Sequence, residues 1–430
     1  MVEYFRSAVA IAGMVWTSVA ASAQPNTAPT EVVITPEHVL SINGNKVFPI
    51  GFAIPPPLDG KTPSGKPAFE ELRSAGGLFI RTGPMWDEEP DRKFFAWDAE
   101  WVEREKAYMK AAAKAGMYCA PWLKELSEID SRHPEREDRL RKVVRLFKND
   151  HGLLVWKGAD EPHWGKRPVP SLVRALEIIH QEDPNHPVWI VHAPRGTVEE
   201  LKPYDAAYDI GGVDVYPISY PPGVHLSATD TNRDISVIGD YTRKMLRVTD
   251  SRKPIWFTLQ IAFSGTSGRK HPQRFPTFAQ QRFMTYQAII NGARGLVYFG
   301  GGLRGTVPEH DMRYGWNWTY WERVLRPVIE EVGDKGPLAE ALCAANSKLP
   351  LKANGSGIEL CVREVDRNLF VLACCHDPQK TAEVQFSGLP NDVESGEVLF
   401  ESPRKVTAKN GAFSDWFAPY DVHVYKFVRH

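Results

Sequence analysis

LLVWKGADEPHWGKRPVPSLVRALEIIHQEDPNHPVWIVH, residues 153–192, decides the fold. An apolar run over 153–160 climbs into the adjacent carboxylates Asp160 and Glu161 and is stopped by Pro162. An amphipathic helical pattern follows over 169–182, then a second apolar run over 187–192. Strand, crossover helix, strand is the repeating unit of a parallel sheet. The same alternation extends in both directions. It predicts strands at 47–53, 77–82, 116–122, 153–160, 187–192, 210–216, 255–260 and 294–299. Helices are predicted between them at 67–75, 98–115, 134–149, 169–182, 196–203, 233–249 and 276–291, with another at 317–333.

Eight such units predict a closed (β/α)8 TIM barrel, a fold of about 250 residues or more. With a hairpin around Asn43-Gly44 at its start, the barrel is expected to occupy residues 24–335. A doubly wound open sheet is the alternative. Against it, no G-x-G-x-x-G follows an early strand, and polar residues collect at nearly all the strand ends rather than at one switch point. From residue 346 to residue 430 the pattern changes to alternating apolar and polar residues, with turn signals at Asp366-Arg367-Asn368 and Asn410-Gly411. That predicts a small C-terminal antiparallel β-sandwich.

Residues 1–23 carry a short apolar core, Ala8 to Trp16, and end in Ala21-Ser22-Ala23, the small-x-small pattern of a signal-peptidase site. The core is too short to span a bilayer as a helix. The expectation is a signal peptide cleaved near Ala23 and a secreted or periplasmic protein without a membrane anchor. The 52 basic and 53 acidic residues give a formal net charge of -1, and no long run of one sign occurs, which argues against nucleic acid as a partner. Five cysteines is an odd number, so at least one thiol is left without an intrachain partner. Cys361, Cys374 and Cys375 are candidates for one disulfide whose pairing the sequence does not choose.

In a parallel barrel the reactive groups sit at the C-terminal strand ends and on the loops that follow. Here those ends offer Arg81, with Trp86 and Asp87-Glu88-Glu89 beyond it; Trp122; Asp160 and Glu161; His192; Asp214 and Tyr216; Gln260; and Tyr298 ahead of a glycine-rich loop leading to Trp316 and Trp318. Carboxylates, aromatic planes and an arginine around one mouth suit a neutral polyhydroxylated substrate, because flat rings pack on the C–H faces of sugars. Each residue also has a plainer reading. Arg81 can knit strand ends together, and His192 and Tyr216 can satisfy a polar core. Metal chemistry finds no support: there is no H-E-x-x-H, and the cysteines lack zinc spacing. No cofactor is implied.

The eight-unit order, Arg81 ending the second strand, Asp160-Glu161-Pro162 ending the fourth, D-V-Y-P at 214–217 and GARGLVYF at 292–299 together resemble the clan A glycoside hydrolases over roughly residues 40–335. The resemblance implies a carbohydrate substrate, Glu161 as general acid/base, and a second glutamate, the nucleophile, ending strand seven. This chain has Asp rather than Asn at 160 and Gln260 on strand seven, so the nucleophile does not carry over. Glu161 and Gln260 are expected to face each other across the barrel mouth. Three routes stay open. An inverting reaction can use a distant base such as Asp87, Glu88 or Asp214. A 2-acetamido group of the substrate can attack in place of the protein, with Asp160 orienting it, as in hexosaminidases whose fourth strand also ends in Asp-Glu. The third is a non-catalytic carbohydrate-binding barrel.

Overall fold

The computed structural model describes residues 29–84, 97–262, 274–303 and 305–430. The expected signal peptide lies outside them. Among the described residues no helix is long and apolar enough to cross a membrane.

Eight parallel strands form one sheet: β1 (Ile50–Phe52), β2 (Phe79–Thr82), β3 (Tyr118–Pro121), β4 (Trp156–Asp160), β5 (Val188–His192), β6 (Ile210–Asp214), β7 (Ile255–Gln260) and β8 (Gly295–Phe299). Their spatial order is β3-β2-β1-β8-β7-β6-β5-β4. The two ends meet through parallel bridges Cys119↔Leu153 and Trp122↔Lys157, with Leu123 N–H donating to Lys157 O at 2.8 Å, so the sheet closes into a barrel. Every predicted strand is present, with bounds trimmed by a few residues. The N-terminal strands Leu40–Ile42 and Asn45–Val47 pair around Asn43 (φ 49°) and Gly44 (φ 85°), the positive-φ pair that a two-residue hairpin turn requires.

Two predicted helices differ from expectation, both at prolines. The segment at 196–203 is helical only over Val198–Leu201 and tightens to a 3-10 turn over Lys202–Ala207, since Pro203 has no N–H to return to Glu199. The segment at 317–333 is helical over Trp318–Tyr320 and Arg326–Val332, joined by a π-turn over Trp321–Leu325. Pro327 likewise lacks the N–H that would bond Arg323, and the wider turn absorbs the loss.

Side-chain alternation divides each strand between two cores. Phe79, Trp189, Trp256 and Val297 point into the barrel, with Trp189–Trp256 centroids 5.4 Å apart and Phe79–Trp256 5.3 Å apart. Ile50, Phe52, Ile80, Trp156, Phe257, Leu259 and Tyr298 point outward to the helices. Antiparallel sheets of three and five strands follow the barrel and share a core containing Val371, Phe386, Phe413 and Phe427. They pack against the helix Phe278–Ile290, where Arg282 Nη1 donates to Val422 O at 2.7 Å and Gln287 Nε2 to Glu359 Oε2 at 2.9 Å. All five cysteines are free thiols, so none of the three candidates forms a disulfide.

Candidate active site

The end of β4 is irregular. Its register against β5 shifts between Lys157 and Asp160, and Glu161 takes a left-handed backbone conformation at φ 45°. That conformation costs about 1–2 kcal/mol in an L-residue with a side chain. It is held by Glu161 N–H donating to Val191 O at 2.7 Å and Glu161 O accepting from Gly165 N–H at 2.8 Å. Without the shift, strict alternation would send neighbouring carboxylates to opposite faces. With it, Asp160 and Glu161 both act on the same inward group, Asp214 at the end of β6.

Glu161, Asp214 and His225 each bring a polar atom within 4.8 Å of the other two. Burial, and then the Asp160 charge, push the Glu161 carboxyl up to about 7. Asp214 is buried, 8 % exposed, and raised well above the usual carboxylate range by that burial and by the Glu161 and Asp160 charges. Two carboxyls this close cannot both ionise at low cost, so the pair retains a shared proton near neutrality. Asp214 Oδ1 is buried with no hydrogen-bond partner among the described residues, and the Tyr216 hydroxyl partly offsets the rise on the same carboxyl. His225 is neutral, its pKa pushed down to about 3 by burial and by Arg195. Its Nδ1 accepts the Tyr216 N–H at 3.1 Å, which places the ring proton on Nε2.

Of the residues singled out in the sequence, Arg81, Trp122, Asp160, Glu161, Asp214 and Tyr216 gather at this end of the barrel. Arg81 Nε donates to Ala53 O at 2.9 Å while its guanidinium lies over Trp122, 4.9 Å from the ring centroid, so it both knits strands and frames the mouth. Trp122 Nε1 is buried without an acceptor among the described residues. Tyr216 is stacked between His225 (4.4 Å) and Phe299 (5.2 Å), so both faces are covered and only its hydroxyl reaches the site.

The remaining candidates among the described residues are buried or point away from this end of the barrel. Gln260 points inward but is 0 % exposed, with Oε1 accepting from Ile218 N–H at 2.9 Å and Nε2 donating to Ile218 O at 2.6 Å. Both ends of its amide bond the backbone of Ile218 and so pin the β6 loop. Tyr298 points outward and bonds Thr285 at 3.0 Å; the inward neighbour is Phe299, one residue on. Trp316 and Trp318 are buried behind β1, Trp316 Nε1 donating to Ile54 O at 2.9 Å. His192 is 1 % exposed, and burial pushes it down to about 3. Trp86 and Asp87-Glu88-Glu89 lie outside the described residues.

Gln260→Ala is accordingly expected to act through stability. It leaves Ile218 N–H and C=O without partners, at ~1–3 kcal/mol per buried group. Thermal unfolding should show a clear drop in Tm. Unchanged Tm with lost turnover would instead return Gln260 to the reacting centre.

Sequence reasoning missed Lys157 and His225. Lys157 stood inside the deciding stretch, and its odd position relative to Trp156 was the available signal for an inward charge. His225 carried none, because it sits in an irregular loop held by contacts distant in sequence, among them Gln260 with Ile218 and Arg195 Nη1 donating to His225 O at 3.0 Å.

No protein-family model matches the chain, and no curated protein matches it in sequence. Solved structures do. A glycoside hydrolase family 5 protein from Bacteroides vulgatus ATCC 8482 superposes with a TM-score of 0.63 at 12% identity, covering 93% of this chain and 94% of that one. A structure described as a glycoside hydrolase gives 0.60 at 13% identity, over 93% and 97% of the two chains. A family 39 glycoside hydrolase from Bacteroides cellulosilyticus WH2 gives 0.53 at 11% identity, over 91% and 86%. At these identities what is shared is the fold, an eight-stranded parallel barrel followed by antiparallel sheets.

Proposed function

We propose that this chain is a glycoside hydrolase in which Glu161 is the general acid and Asp214 the second carboxylate. The observation that carries the reading is the Glu161–Asp214 pair, held within 4.8 Å at the C-terminal end of a (β/α)8 barrel. Retaining glycosidases place their two carboxyls about 5–5.5 Å apart, and inverting ones about 6.5–9.5 Å apart to admit a water. The pair here fits the first class. On this reading the reaction is double displacement, with the nucleophile on strand six rather than strand seven, and the inverting and acetamide-assisted routes remain the alternatives that the test below separates.

The scheme needs the shared proton on Glu161 and Asp214 ionised at the moment of attack; burial raises Asp214 as well, so the proton has to move from Asp214 to Glu161 when substrate binds, a shift that the Tyr216 hydroxyl favours. Asp214 attacks the anomeric carbon as the glycosidic C–O bond breaks, and Glu161 protonates the departing oxygen. Water then enters, loses its proton to the Glu161 carboxylate and displaces Asp214, which restores both groups. The Tyr216 hydroxyl supplies a hydrogen bond that favours the ionised Asp214.

A screen of chromogenic glycosides, 2-acetamido sugars included, tests the reading, with NMR of the first-formed anomer on any substrate that turns over. Retention on sugars with and without an acetamido group is expected. Inversion would restore a remote base, and retention confined to 2-acetamido sugars would restore neighbouring-group attack. Sugar binding without turnover would support the non-catalytic reading, for which Trp164, 57 % exposed beside the site, offers a stacking face.

The raised Glu161 carboxyl also predicts a pH-dependent stability. The folded state binds this proton more tightly than the unfolded chain, whose carboxyl titrates at about 4.5. The associated stability is present below that value and is lost as pH rises towards about 7. Glu161→Gln removes the dependence. Its Tm should match wild type near pH 4.5 and exceed it at pH 8; equal Tm differences at both would show that Glu161 has no raised pKa.

A further inference from the structure

We propose that Lys157 is the positioning residue of this site: its ammonium, sealed inside the barrel, ties the Gly158 and Ala159 carbonyls and the Asp160 carboxylate together, and so fixes the irregular strand end that carries Glu161. Lys157 is 0 % exposed. Its Nζ lies 3.0 Å from Asp160 Oδ1, 2.8 Å from Ala159 O and 3.3 Å from Gly158 O. These acceptors belong to three consecutive residues and lie where the β4–β5 register shifts. One ammonium has three N–H donors, so this set saturates it. The rings of Trp189 (5.3 Å) and Trp122 (5.7 Å) flank it, and a cation over aromatic faces is favoured when desolvated.

An isolated buried ammonium would shed its proton, because removing it from water is costly unless it is paired and hydrogen-bonded. Here burial does lower the Lys157 ammonium below its usual range, while the Asp160 charge and hydrogen bond work against that shift, and the three acceptors hold the nitrogen in place. A Schiff-base amine has to be reached by a carbonyl, and this nitrogen is fully buried behind its three acceptors.

The charged groups facing Lys157 are Asp160 on its own strand, Arg81 from β2 and Asp214 from β6, with Glu161 just beyond. Burial alone would raise Asp160, yet Lys157 and then Arg81 outweigh it and keep the carboxyl below its usual range. Asp160 is 35 % exposed on its side chain and remains an anion beside Glu161. That anion is one of the two causes that keep Glu161 protonated. Lys157 thus reaches the reacting groups only through Asp160 and the backbone turn. Its catalytic consequence rests on the reading of Glu161 as acid, whereas its structural consequence does not.

The test reads Asp160 directly, without substrate. Carboxyl ¹³C NMR of aspartate-labelled protein, with the Asp160 signal assigned by its loss in Asp160→Asn, follows the ionisation in wild type and in Lys157→Met. Loss of an adjacent opposite charge should raise the Asp160 midpoint by roughly 1–3 pH units. Should Lys157→Met fail to fold, the reciprocal measurement serves: ¹⁵N detection of the Lys157 ammonium in Asp160→Asn should show its titration moved to lower pH. An unmoved midpoint in either experiment overturns the proposal. Where turnover is established, Lys157→Met and Asp160→Asn should each lower kcat with KM little changed, and the double variant should be no worse than the more severe single one, because both act on one unit. Additive losses would overturn the route through Asp160. A chain that hydrolyses nothing yet shows the shifted midpoint removes the hydrolase reading and leaves Lys157 in place; turnover with an unmoved midpoint does the reverse.

Discussion

Glu161→Gln is expected to keep the barrel and its sugar affinity and to lower turnover by about 10²–10⁴-fold on glycosides with poor leaving groups, the usual contribution of a positioned acid. The amide matches the carboxyl in size and needs no proton to fit a desolvated site, so folding should not suffer. What it removes is the proton delivered to the leaving oxygen. The deficit should therefore shrink on activated aryl glycosides, which depart without protonation. The pH profile should change as well. In wild type the alkaline limb reports loss of the proton from Glu161, raised by burial and the Asp160 charge to about 7. In the variant that limb disappears. Because the Glu161 charge is one cause of the raised Asp214 carboxyl, the acid limb should also extend to lower pH. Turnover within a few-fold of wild type, or an unaltered alkaline limb, would remove Glu161 from the acid role.

The second large effect is expected at Asp214. Asp214→Asn removes the group that meets the anomeric carbon, and the loss should be about 10⁴-fold or more, as for other members of a unit that acts in concert. It should fall equally on good and poor leaving groups, because no leaving group substitutes for a missing nucleophile. The contrast between the two variants matters more than either magnitude. A 2-deoxy-2-fluoro glycoside with an activated leaving group should leave an adduct that peptide mass spectrometry places on Asp214 and not on Gln260. An adduct elsewhere, or a loss at Asp214 that follows leaving-group acidity, would reassign the two carboxylates. Asn at this position still occupies the volume between Glu161 and His225, so unfolding measurements separate lost chemistry from lost structure.

Most of the architecture was legible because barrel strands and helices announce themselves locally. LLVWKGAD, PVWIVH and IWFTLQ are apolar runs of strand length between amphipathic stretches, and each folds as a strand of the parallel sheet. Asp160-Glu161-Pro162 was legible for the same reason, since carboxylates at the end of a buried run have to face an opening or a partner. Errors came where facing depends on phase. Tyr298 and Phe299 are equally aromatic neighbours, and period-two alternation sends one to the helices and the other to the lumen.

By itself the sequence determined the order of eight strand–helix units, the sheets that trail them and the strand end that bears Glu161, because propensity, periodicity and turn chemistry act between near neighbours. Only the tertiary structure decided that Glu161, Asp214 and His225 come within 4.8 Å of one another, that Gln260 bonds Ile218, and that a buried Lys157 lies against Asp160. Those contacts join different strands and loops across a closed barrel. Their distances depend on strand register, on one bulge and on which face each side chain takes, and a residue's immediate neighbours in the chain carry none of that information.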